Sequence, residues 1–252
     1  ATENIIMAAS LAKGETEISN IATEPEIIDL IDCLKSMGAQ IEVQSDRKVL
    51  IQGVESLNGT THSVIPDRIE AGTYIIAGLI TKGELQIKNV NFDHIANLLS
   101  VFENLELNIT RKNNNLIVKE SSVSKNISLD TKEYPGFPTD LQAQIMVLLS
   151  LSKNASTIRE NIFENRFMHV PELNRMGADI NINGSQATIN PCNGFSGAQV
   201  MATDLRASVS LVLASLIAKG ETTINRVYHL DRGYENLENK LAGCGANIKR
   251  IQ

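Results

Sequence analysis

The chain has 252 residues, of which 42% are hydrophobic and 21% charged, and its formal net charge is −6. This composition is typical of a globular protein of one or two domains and excludes intrinsic disorder and fibrous repeats. The negative charge argues against nucleic acid as a partner. An anionic ligand would therefore have to be held by a few placed arginines or lysines and by helix N-termini.

The predicted elements, taken in chain order, form one unit that recurs four times. An apolar helix around residues 5–11 ends in a turn, a strand follows, and a second helix opens at Thr23 in a capping-box pattern and ends at Gly38. Further strands, such as residues 48–51 and 115–118, complete each unit. The sequence therefore predicts an α/β protein built from repeats.

The turn after the first helix marks the four copies of the repeat. It is centred on Gly14, Gly83, Asn154 and Gly220, which are 69, 71 and 66 residues apart. Glycine or asparagine at this position is typical of a left-handed turn at the end of a helix. The spacing is too long for the common solenoid repeats.

Acidic residues stand where the first helices of the later copies are predicted to begin. Asp67, Asp140 and Asp204 could each cap a helix. Asp204 is followed two residues later by Arg206, and Asp140 is preceded by the constrained loop 133–138. These neighbours favour a ligand site over simple caps.

The three cysteines, Cys33, Cys192 and Cys244, are an odd number and show no spacing typical of a zinc site. We therefore expect no metal, no cofactor and a reducing cytoplasmic compartment. No apolar run approaches the ~18 residues of a membrane span, and no signal-peptide pattern opens the chain, so we expect no membrane partner.

Three parts of the sequence carry a specific resemblance. They are residues 137–144 (FPTDLQAQ), residues 163–173 (FENRFMHVPEL), and residues 198–208 (AQVMATDLRAS) together with residues 229–235 (HLDRGYE). The chain resembles along its whole length the UDP-N-acetylglucosamine 1-carboxyvinyltransferase family. These enolpyruvyl transferases move the enolpyruvyl group of phosphoenolpyruvate to the 3-hydroxyl of the sugar, with release of phosphate, in the first committed step of peptidoglycan synthesis.

The resemblance implies two similar domains, each an inside-out α/β barrel of three repeat units. Residues 1–63 match the last unit of the first domain, and residues 64–252 match a complete second domain. The chain is therefore expected to be a C-terminal fragment. It would lack the family's mobile loop, with its reactive cysteine or aspartate, and a Lys-Asn pair that contacts phosphoenolpyruvate. We expect little activity from the chain alone and association through its incomplete first domain.

The resemblance also assigns catalytic and phosphoenolpyruvate-binding roles. Asp140 matches the carboxylate that contacts the sugar 3-hydroxyl and acts as general base, and Asp204 matches an acid beside the reacting atoms. Arg206 and Arg232 match the arginines that bind phosphoenolpyruvate. The alternatives are helix caps for the two acids and surface ion pairs for the arginines.

Three further residues are assigned to the nucleotide-sugar pocket. Ile162, through its backbone, and Phe163 match positions that line it, and Arg166 is near enough in sequence to serve the same site. Phe163 could instead be strand core, and Arg166 a surface charge. His169, at a predicted helix start, is interpreted as structural.

Two other functions remain open at this point. One is that of the shikimate-pathway relative, which has the same fold and also uses phosphoenolpyruvate. The other is a non-catalytic repeat scaffold, because related folds host unrelated functions.

Overall fold

The structure of the chain, a computed structural model, describes residues 1–81 and 83–251. Lys82, in the second copy of the repeat, and Gln252, at the end of the predicted second domain, lie outside the described residues. The chain divides into two compact units. The first unit comprises Ala1–Pro66 and Glu133–Pro135, and the second comprises Asp67–Lys132 and Gly136–Gln252.

The first unit is a three-stranded sheet with two helices. Its elements are α1 (Thr2–Ala9), β1 (Glu15–Ser19), α2 (Pro25–Ser36), β2 (Gln40–Gln44) and β3 (Lys48–Gln52). The strands are antiparallel in the order β1-β3-β2. Alternate side chains of β3 point into the core, where Val49 and Ile51 are fully buried beneath the helices.

The second unit contains the remaining three copies of the repeat. Its elements are α3 (Arg68–Ile80), β4 (Glu84–Ile87), α4 (Ala96–Asn104), β5 (Ile109–Lys112), β6 (Asn115–Lys119), β7 (Ser128–Asp130), α5 (Gln142–Ser150), β8 (Ser156–Arg159), α6 (Val170–Arg175), β9 (Asp179–Asn183), β10 (Gln186–Asn190), β11 (Gln199–Met201), α7 (Val209–Ile217), β12 (Thr223–Asn225) and α8 (Leu237–Gly243). Short 3-10 turns lie at Asp93–Ile95, Thr139–Leu141 and Val227–Arg232.

Three apolar helices form the centre of the second unit. α3, α5 and α7 contact one another, and every residue of α5 is buried, as expected of a helix surrounded by protein on all sides. The sheets β4-β6-β5, β7-β8-β10-β9 and β11-β12 lie outside these helices. Helices inside and sheets outside is the inside-out α/β arrangement, so the predicted fold class is confirmed.

Parallel strand pairs occur at two places in the second unit. β7 lies parallel to β8, and β11 lies parallel to β12, whereas the other pairs are antiparallel. The carboxyl ends of parallel neighbours meet at the same edge of a sheet, which is where α/β proteins place ligands.

The predicted turns after the first helices are partly confirmed. Gly14 and Gly220 have the left-handed backbone, with φ of 92° and 94°. Asn154 does not, so the prediction is wrong at that copy. The turn at Gly83 includes Lys82, which lies outside the described residues, so the prediction for that copy stays a prediction. At Asn154 the side chain instead donates to the Ser124 carbonyl at 2.9 Å, a polar contact that a left-handed cap does not require.

The second helices end as predicted, but the capping box at Thr23 does not form. Gly38, Gly177 and Gly245 all have positive φ directly after their helices. The residue that caps α2 is Glu24, without a side-chain bond, while the Thr23 hydroxyl donates to the Tyr134 carbonyl at 3.1 Å. The tertiary hydrogen bond has replaced the local one.

The fourth copy is shorter than the predicted unit. α8 is followed by the Gly-Ala-Asn-Ile sequence, yet residues 246–251 form no strand. The strands β2 and β9 that follow the equivalent helices pair with a further strand, β3 or β10. Within the described residues no such partner strand follows α8, so its backbone has no ladder to join.

Candidate functional site

The predicted site residues of the second unit follow the carboxyl ends of the parallel strands. Ile162, Phe163 and Arg166 follow β8, and Asp204 and Arg206 follow β11. Arg232 is the last residue of the 3-10 turn after β12, and Asp140 lies in the 3-10 turn before α5. The structure gathers Asp140, Phe163 and Arg166 into one group and holds Arg206 in a second, whereas Ile162, Asp204 and Arg232 stand outside both groups.

The first group, the Asp140 cluster, consists of Asp140, Phe163 and Arg166. The Arg166 Nη2 donates to Asp140 Oδ1 at 2.6 Å, which is the short distance expected of a charge-assisted bond. The Arg166 guanidinium carbon also lies 5.0 Å from the centre of the Phe163 ring. The Arg166 side chain is 12% exposed and that of Asp140 39% exposed, so the carboxylate remains open to a ligand.

The Phe163 ring is not strand core. Phe163 is 56% exposed and lies in the turn after β8, so the core alternative is wrong. Ile162 is also exposed. The backbone N–H of Ile162 donates to the buried Glu160 side chain at 2.9 Å, so a backbone contact of Ile162 with a ligand would have to use its carbonyl.

The second group, the Arg206 cluster, consists of Asp67, Arg206, Gly233 and Tyr234. The Arg206 guanidinium lies 3.4 Å from the Asp67 carboxylate, donates to the Gly233 carbonyl at 3.1 Å, and lies 5.3 Å from the centre of the Tyr234 ring. Burial alone would lower the pKa of Arg206, but the negative charges of Asp67 and Asp140 contribute to a net rise of that pKa. Arg206 is therefore a fixed, largely buried cation.

The absence of a side chain at Gly233 leaves room for the Leu205 and Arg206 side chains. A Cβ added to Gly233 would lie 2.1 Å from the Leu205 Cδ1 and 3.2 Å from the Arg206 Nη1. The Tyr234 ring beneath is buried, and its hydroxyl lies 2.9 Å from that of Thr73. The Thr73 hydroxyl donates to the Ile69 carbonyl, so the Tyr234 hydroxyl is the donor to Thr73.

Asp204 forms the predicted cap, although the helix begins later than predicted. Its Oδ1 accepts from the backbone N–H groups of Arg206 and Ala207 at 2.8 and 2.7 Å. α7 itself begins only at Val209, because residues 204–208 form a separate turn. This turn fixes the backbone from which the Arg206 side chain extends.

Asp140 is not a helix cap, and the Arg232 side chain forms no ion pair within the described residues, so neither matches its alternative. Asp140 accepts no cap hydrogen bond from its own helix start and is paired with Arg166 instead. Arg232 is exposed beside Gly233, and within residues 1–81 and 83–251 its side chain has no hydrogen bond or ion pair. Arg206 and Arg166, by contrast, both have carboxylate partners.

His169 is fully buried, near Arg166 of the Asp140 cluster and near Asp204. Its Nε2 lies 3.4 Å from the Met146 sulfur. Burial lowers the pKa of His169 to about 4, Asp204 opposes that shift, and Arg166 adds to it. A neutral, buried ring fits the structural role that the sequence indicates.

Three contributors were not assigned from the sequence. Asp67 was interpreted only as a cap, and it does cap α3 while also pairing with Arg206. Tyr234 lies within a quoted motif but received no role. Glu160 could have been found from the sequence, because it is an acid directly after a buried strand.

Metal and membrane signatures are missing from the part of the chain that the structure describes. No group of three or more His, Cys, Asp or Glu side chains there could hold a metal ion. None of the described helices combines the length and apolar character needed to cross a membrane. Cys33 and Cys192 are half-buried, and Cys244 is exposed at the end of α8.

The chain is similar to named enzymes over its whole length. It is 54% identical over 252 residues to the UDP-N-acetylglucosamine 1-carboxyvinyltransferase of Gluconacetobacter diazotrophicus and 55% identical over 251 residues to that of Pelagibacter ubique. In both comparisons the matched region covers 100% of this chain and 60% of the relative. The chain thus spans about 60% of the length of these curated relatives.

Solved structures share the fold. The enolpyruvyl transferase NikO from Streptomyces tendae matches with a TM-score of 0.87 and 27% identity, over 97% of this chain and 58% of that one. EPSP synthase from Acinetobacter baumannii matches with a TM-score of 0.70 and 16% identity, over 97% of this chain and 60% of that one, which shows the fold alone.

A family model described as EPSP synthase (3-phosphoshikimate 1-carboxyvinyltransferase) matches residues 1–241. The match includes every residue of the Asp140 and Arg206 clusters. With the whole-chain similarity to 1-carboxyvinyltransferases and the inside-out arrangement of its second unit, the chain belongs to the EPSP synthase family.

Proposed function

We propose that this chain carries part of an enzyme that transfers the enolpyruvyl group of phosphoenolpyruvate to the 3-hydroxyl of UDP-N-acetylglucosamine and releases phosphate. The observation that carries the proposal is a 39%-exposed carboxylate, Asp140, which is ion-paired with Arg166 and whose negative charge contributes to the raised pKa of Arg206. Arg166 also contacts the exposed Phe163 ring. A sugar hydroxyl needs a base, and phosphoenolpyruvate needs cations. The relatives named for this reaction support the choice of substrates.

The Asp140 cluster is proposed to bind the sugar nucleotide. The Asp140 carboxylate would take the proton of the 3-hydroxyl as that oxygen bonds to C2 of phosphoenolpyruvate, while the C2–C3 double bond opens and C3 takes a proton from an acid of the complete site. In the later elimination step C3 would give up a proton, the double bond would form again, and phosphate would leave. Arg166 holds Asp140 in place through the 2.6 Å ion pair. Phe163 offers its open ring face, and Ile162 its backbone carbonyl, to the nucleotide sugar.

The Arg206 cluster is proposed to bind phosphoenolpyruvate. The planar fork of Arg206 suits a phosphate or carboxylate group, which accepts two parallel N–H bonds. So does the side chain of Arg232, which is exposed and has no ion-pair partner among the described residues. Asp204 would lie beside the reacting atoms and, as a cap, fixes the turn that carries Arg206. Both of its roles hold together.

We propose that residues 1–63 are the last repeat unit of one domain and residues 64–252 the three units of a second. The family's mobile loop and Lys-Asn pair, which the resemblance assigns to the active site, match no segment of these 252 residues. Catalysis by positioning requires all of its parts, so we propose that the chain alone turns over little substrate. Association through the first unit fits its exposed Ile5, Met7 and Leu11 side chains.

The cellular setting is also a proposal. We place the reaction in the cytoplasm and in peptidoglycan synthesis, and hence in cell-wall formation, cell shape and the division cycle. A chain of net charge −6 without a candidate membrane span among its described residues agrees with small-molecule substrates rather than with nucleic acid or lipid.

A second candidate acceptor is shikimate 3-phosphate, since the matching family model carries that enzyme's description. The two acceptors differ in chemistry, because one carries a nucleotide and an acetylated sugar and the other a small phosphorylated ring. The exposed ring of Phe163 favours the nucleotide sugar, since it offers apolar area that a small polyanion does not need.

Phosphate release tests the choice of acceptor. We would replace the matching segment of the Pelagibacter ubique relative with this chain, which is 55% identical to it, and call the product the exchange chimera. With phosphoenolpyruvate present, we expect phosphate release on adding UDP-N-acetylglucosamine and none on adding shikimate 3-phosphate. The reverse pattern, or silence with both acceptors from a chimera that folds, would refute the proposal.

A further inference from the structure

Glu160 is a buried acid that the proposed reaction leaves without a role. It directly follows the last residue of β8, and it is 5% exposed. Burying a carboxylate is costly unless hydrogen bonds replace the water that it loses. The contacts that compensate this cost show what the residue holds in place.

Four neutral donors surround the Glu160 carboxylate. Its Oε1 accepts from the Thr131 hydroxyl at 2.8 Å and from the backbone N–H groups of Ile162 and Phe163 at 2.9 and 3.0 Å. Its Oε2 accepts from the Thr139 hydroxyl at 2.9 Å. A carboxylate suits this set because it only accepts hydrogen bonds and has room for about four of them.

These donors come from three separate segments of the second unit. Thr131 follows β7, Thr139 precedes Asp140 in its 3-10 turn, and Ile162 and Phe163 form the turn after β8. One side chain thus ties the segment that carries Asp140 to the segment that carries the Phe163 ring. Arg166 bridges the same two segments at the surface, through its ion pair and its contact with the ring.

We propose that Glu160 is a positioning residue for the sugar nucleotide, which sets the distance between the Asp140 carboxylate and the Ile162–Phe163 turn. The inference rests on the proposed function of the Asp140 cluster. It predicts that a change at Glu160 weakens binding of UDP-N-acetylglucosamine and spares phosphoenolpyruvate, whose proposed ligands Arg206 and Arg232 follow other strands. A residue that merely stabilises the fold would affect both ligands alike.

The test compares Glu160→Ala and Glu160→Gln with Glu164→Ala as the matched control. Glu164 is an exposed acid in the same turn, so its removal takes away the same charge without the four hydrogen bonds. On the full 252-residue chain, hydrogen exchange of the Ile162 and Phe163 amides is measured without ligand. Titrations then give the affinities for UDP-N-acetylglucosamine and for phosphoenolpyruvate.

We expect Glu160→Ala to speed exchange of both amides about tenfold or more and to weaken sugar-nucleotide binding about tenfold, because several donors lose their acceptor. Phosphoenolpyruvate affinity should stay within about twofold, since its proposed ligands are untouched. Glu160→Gln should remain within about threefold of the unaltered chain on all three measures, because its amide oxygen still accepts the two N–H bonds and its NH₂ can donate to Thr139. Glu164→Ala should change nothing.

A milder variant covers the case in which Glu160→Ala does not fold. Thr139→Val removes only the donor to Oε2, and we expect it to weaken sugar-nucleotide binding about threefold while exchange at Ile162 and Phe163 stays unchanged. Unaltered amide exchange in Glu160→Ala, or equal losses for the two ligands, would overturn the inference. Failure of the exchange chimera to bind UDP-N-acetylglucosamine would count against the proposed function, and the amide exchange rates of the 252-residue chain would still decide whether Glu160 holds the turn.

Discussion

The Asp140 and Arg206 clusters use the same three kinds of group in opposite ways. Each holds an arginine against an aromatic ring and a carboxylate. In the Asp140 cluster the ring is exposed and the ion pair is 2.6 Å long, whereas in the Arg206 cluster the ring is buried and the ion pair is 3.4 Å long. The two carboxylates are equally exposed, at 39% for Asp140 and 38% for Asp67, so the clusters differ mainly in their rings: the first presents its ring face, and the second keeps its ring buried beneath Arg206.

The two clusters also differ in what supports them from below. Glu160, a buried acceptor, fixes the backbone of the first cluster. Tyr234, a buried phenol bonded to Thr73 and Gln144, supports the second, and burial raises the pKa of Tyr234 so that it remains a donor. The comparison teaches that the same combination of arginine, carboxylate and ring presents different groups to its surroundings, depending on whether the ring is exposed or buried.

The largest expected effect is on turnover at Asp140, where a variant can separate proton transfer by the carboxylate from binding of the sugar nucleotide. In the exchange chimera, Asp140→Asn should lower turnover about 10²–10⁴-fold, because the amide cannot take the hydroxyl proton. Phosphate release measures the rate, and titration should show sugar-nucleotide affinity changed less than about tenfold, since the amide still accepts a bond from Arg166. Asp130→Asn, at an exposed acid of β7, is the control. An asparagine variant with more than about a tenth of normal turnover would contradict the role of Asp140 as base.

His169, which lies near Arg166 and Asp204, should make the stability of the chain depend on pH. Burial lowers the pKa of His169 to about 4 in the folded chain, below the ordinary histidine pKa of 6.5 that applies in the unfolded chain, so the unfolded chain binds a proton first as pH falls. The stability contributed by the neutral ring is present above pH 6.5 and is lost as pH falls towards 4.

Unfolding by urea at pH 7.5 and pH 4.5 measures this effect. We expect the free energy of unfolding to fall by about 2–3 kcal/mol more in the unaltered chain than in His169→Gln. Equal losses in the two proteins would show that His169 is not the buried neutral group described.

Gly233→Ala should disrupt the Arg206 cluster and leave the Asp140 cluster unchanged. The added methyl group would meet Leu205 at 2.1 Å, so we expect a loss of about 1–3 kcal/mol in the free energy of unfolding, together with weaker phosphoenolpyruvate binding. The affinity for the sugar nucleotide should stay unchanged. Gly243→Ala, where an added Cβ meets nothing within 4 Å, is the matched control and should not destabilise the chain.

Tyr234→Phe should give the smallest effect. It removes the hydroxyl bonded to Thr73 and leaves the ring beneath Arg206, so the free energy of unfolding should fall by about 1 kcal/mol. Phosphoenolpyruvate affinity should not change, and Tyr228→Phe at an exposed position should change neither quantity. A large loss of affinity would mean that the hydroxyl, rather than the ring, positions Arg206.

The spacing of the repeat predicted the fold well, because each copy has the same pattern of apolar helix, turn and strand. The helices of the second unit and the glycines after them could be read from apolar spacing and turn chemistry. Errors arose where tertiary contacts replaced local ones, as at Thr23, whose hydroxyl bonds to Tyr134 and not to its own helix. The missing strand after α8 depends on a partner strand, which no local pattern reveals.

Site prediction succeeded for residues inside a motif and failed for those that act between motifs. Asp140, Arg166 and Arg206 were identified as candidates, yet the pairing of Asp140 with Arg166 is invisible in a sequence that separates them by 26 residues. Asp67 reaches Arg206 across 139 residues. Glu160 was missed because its role exists only when three segments converge on it.

The division of labour between the clusters is tested most directly by the two Michaelis constants of Arg166→Ala and Arg206→Ala in the exchange chimera. We expect Arg166→Ala to raise KM for UDP-N-acetylglucosamine about tenfold and leave KM for phosphoenolpyruvate unchanged. We expect Arg206→Ala to raise KM for phosphoenolpyruvate about a hundredfold or more, because a buried cation is lost, with little change for the sugar nucleotide. An exchanged pattern, or the same constant raised by both variants, would contradict the assignment.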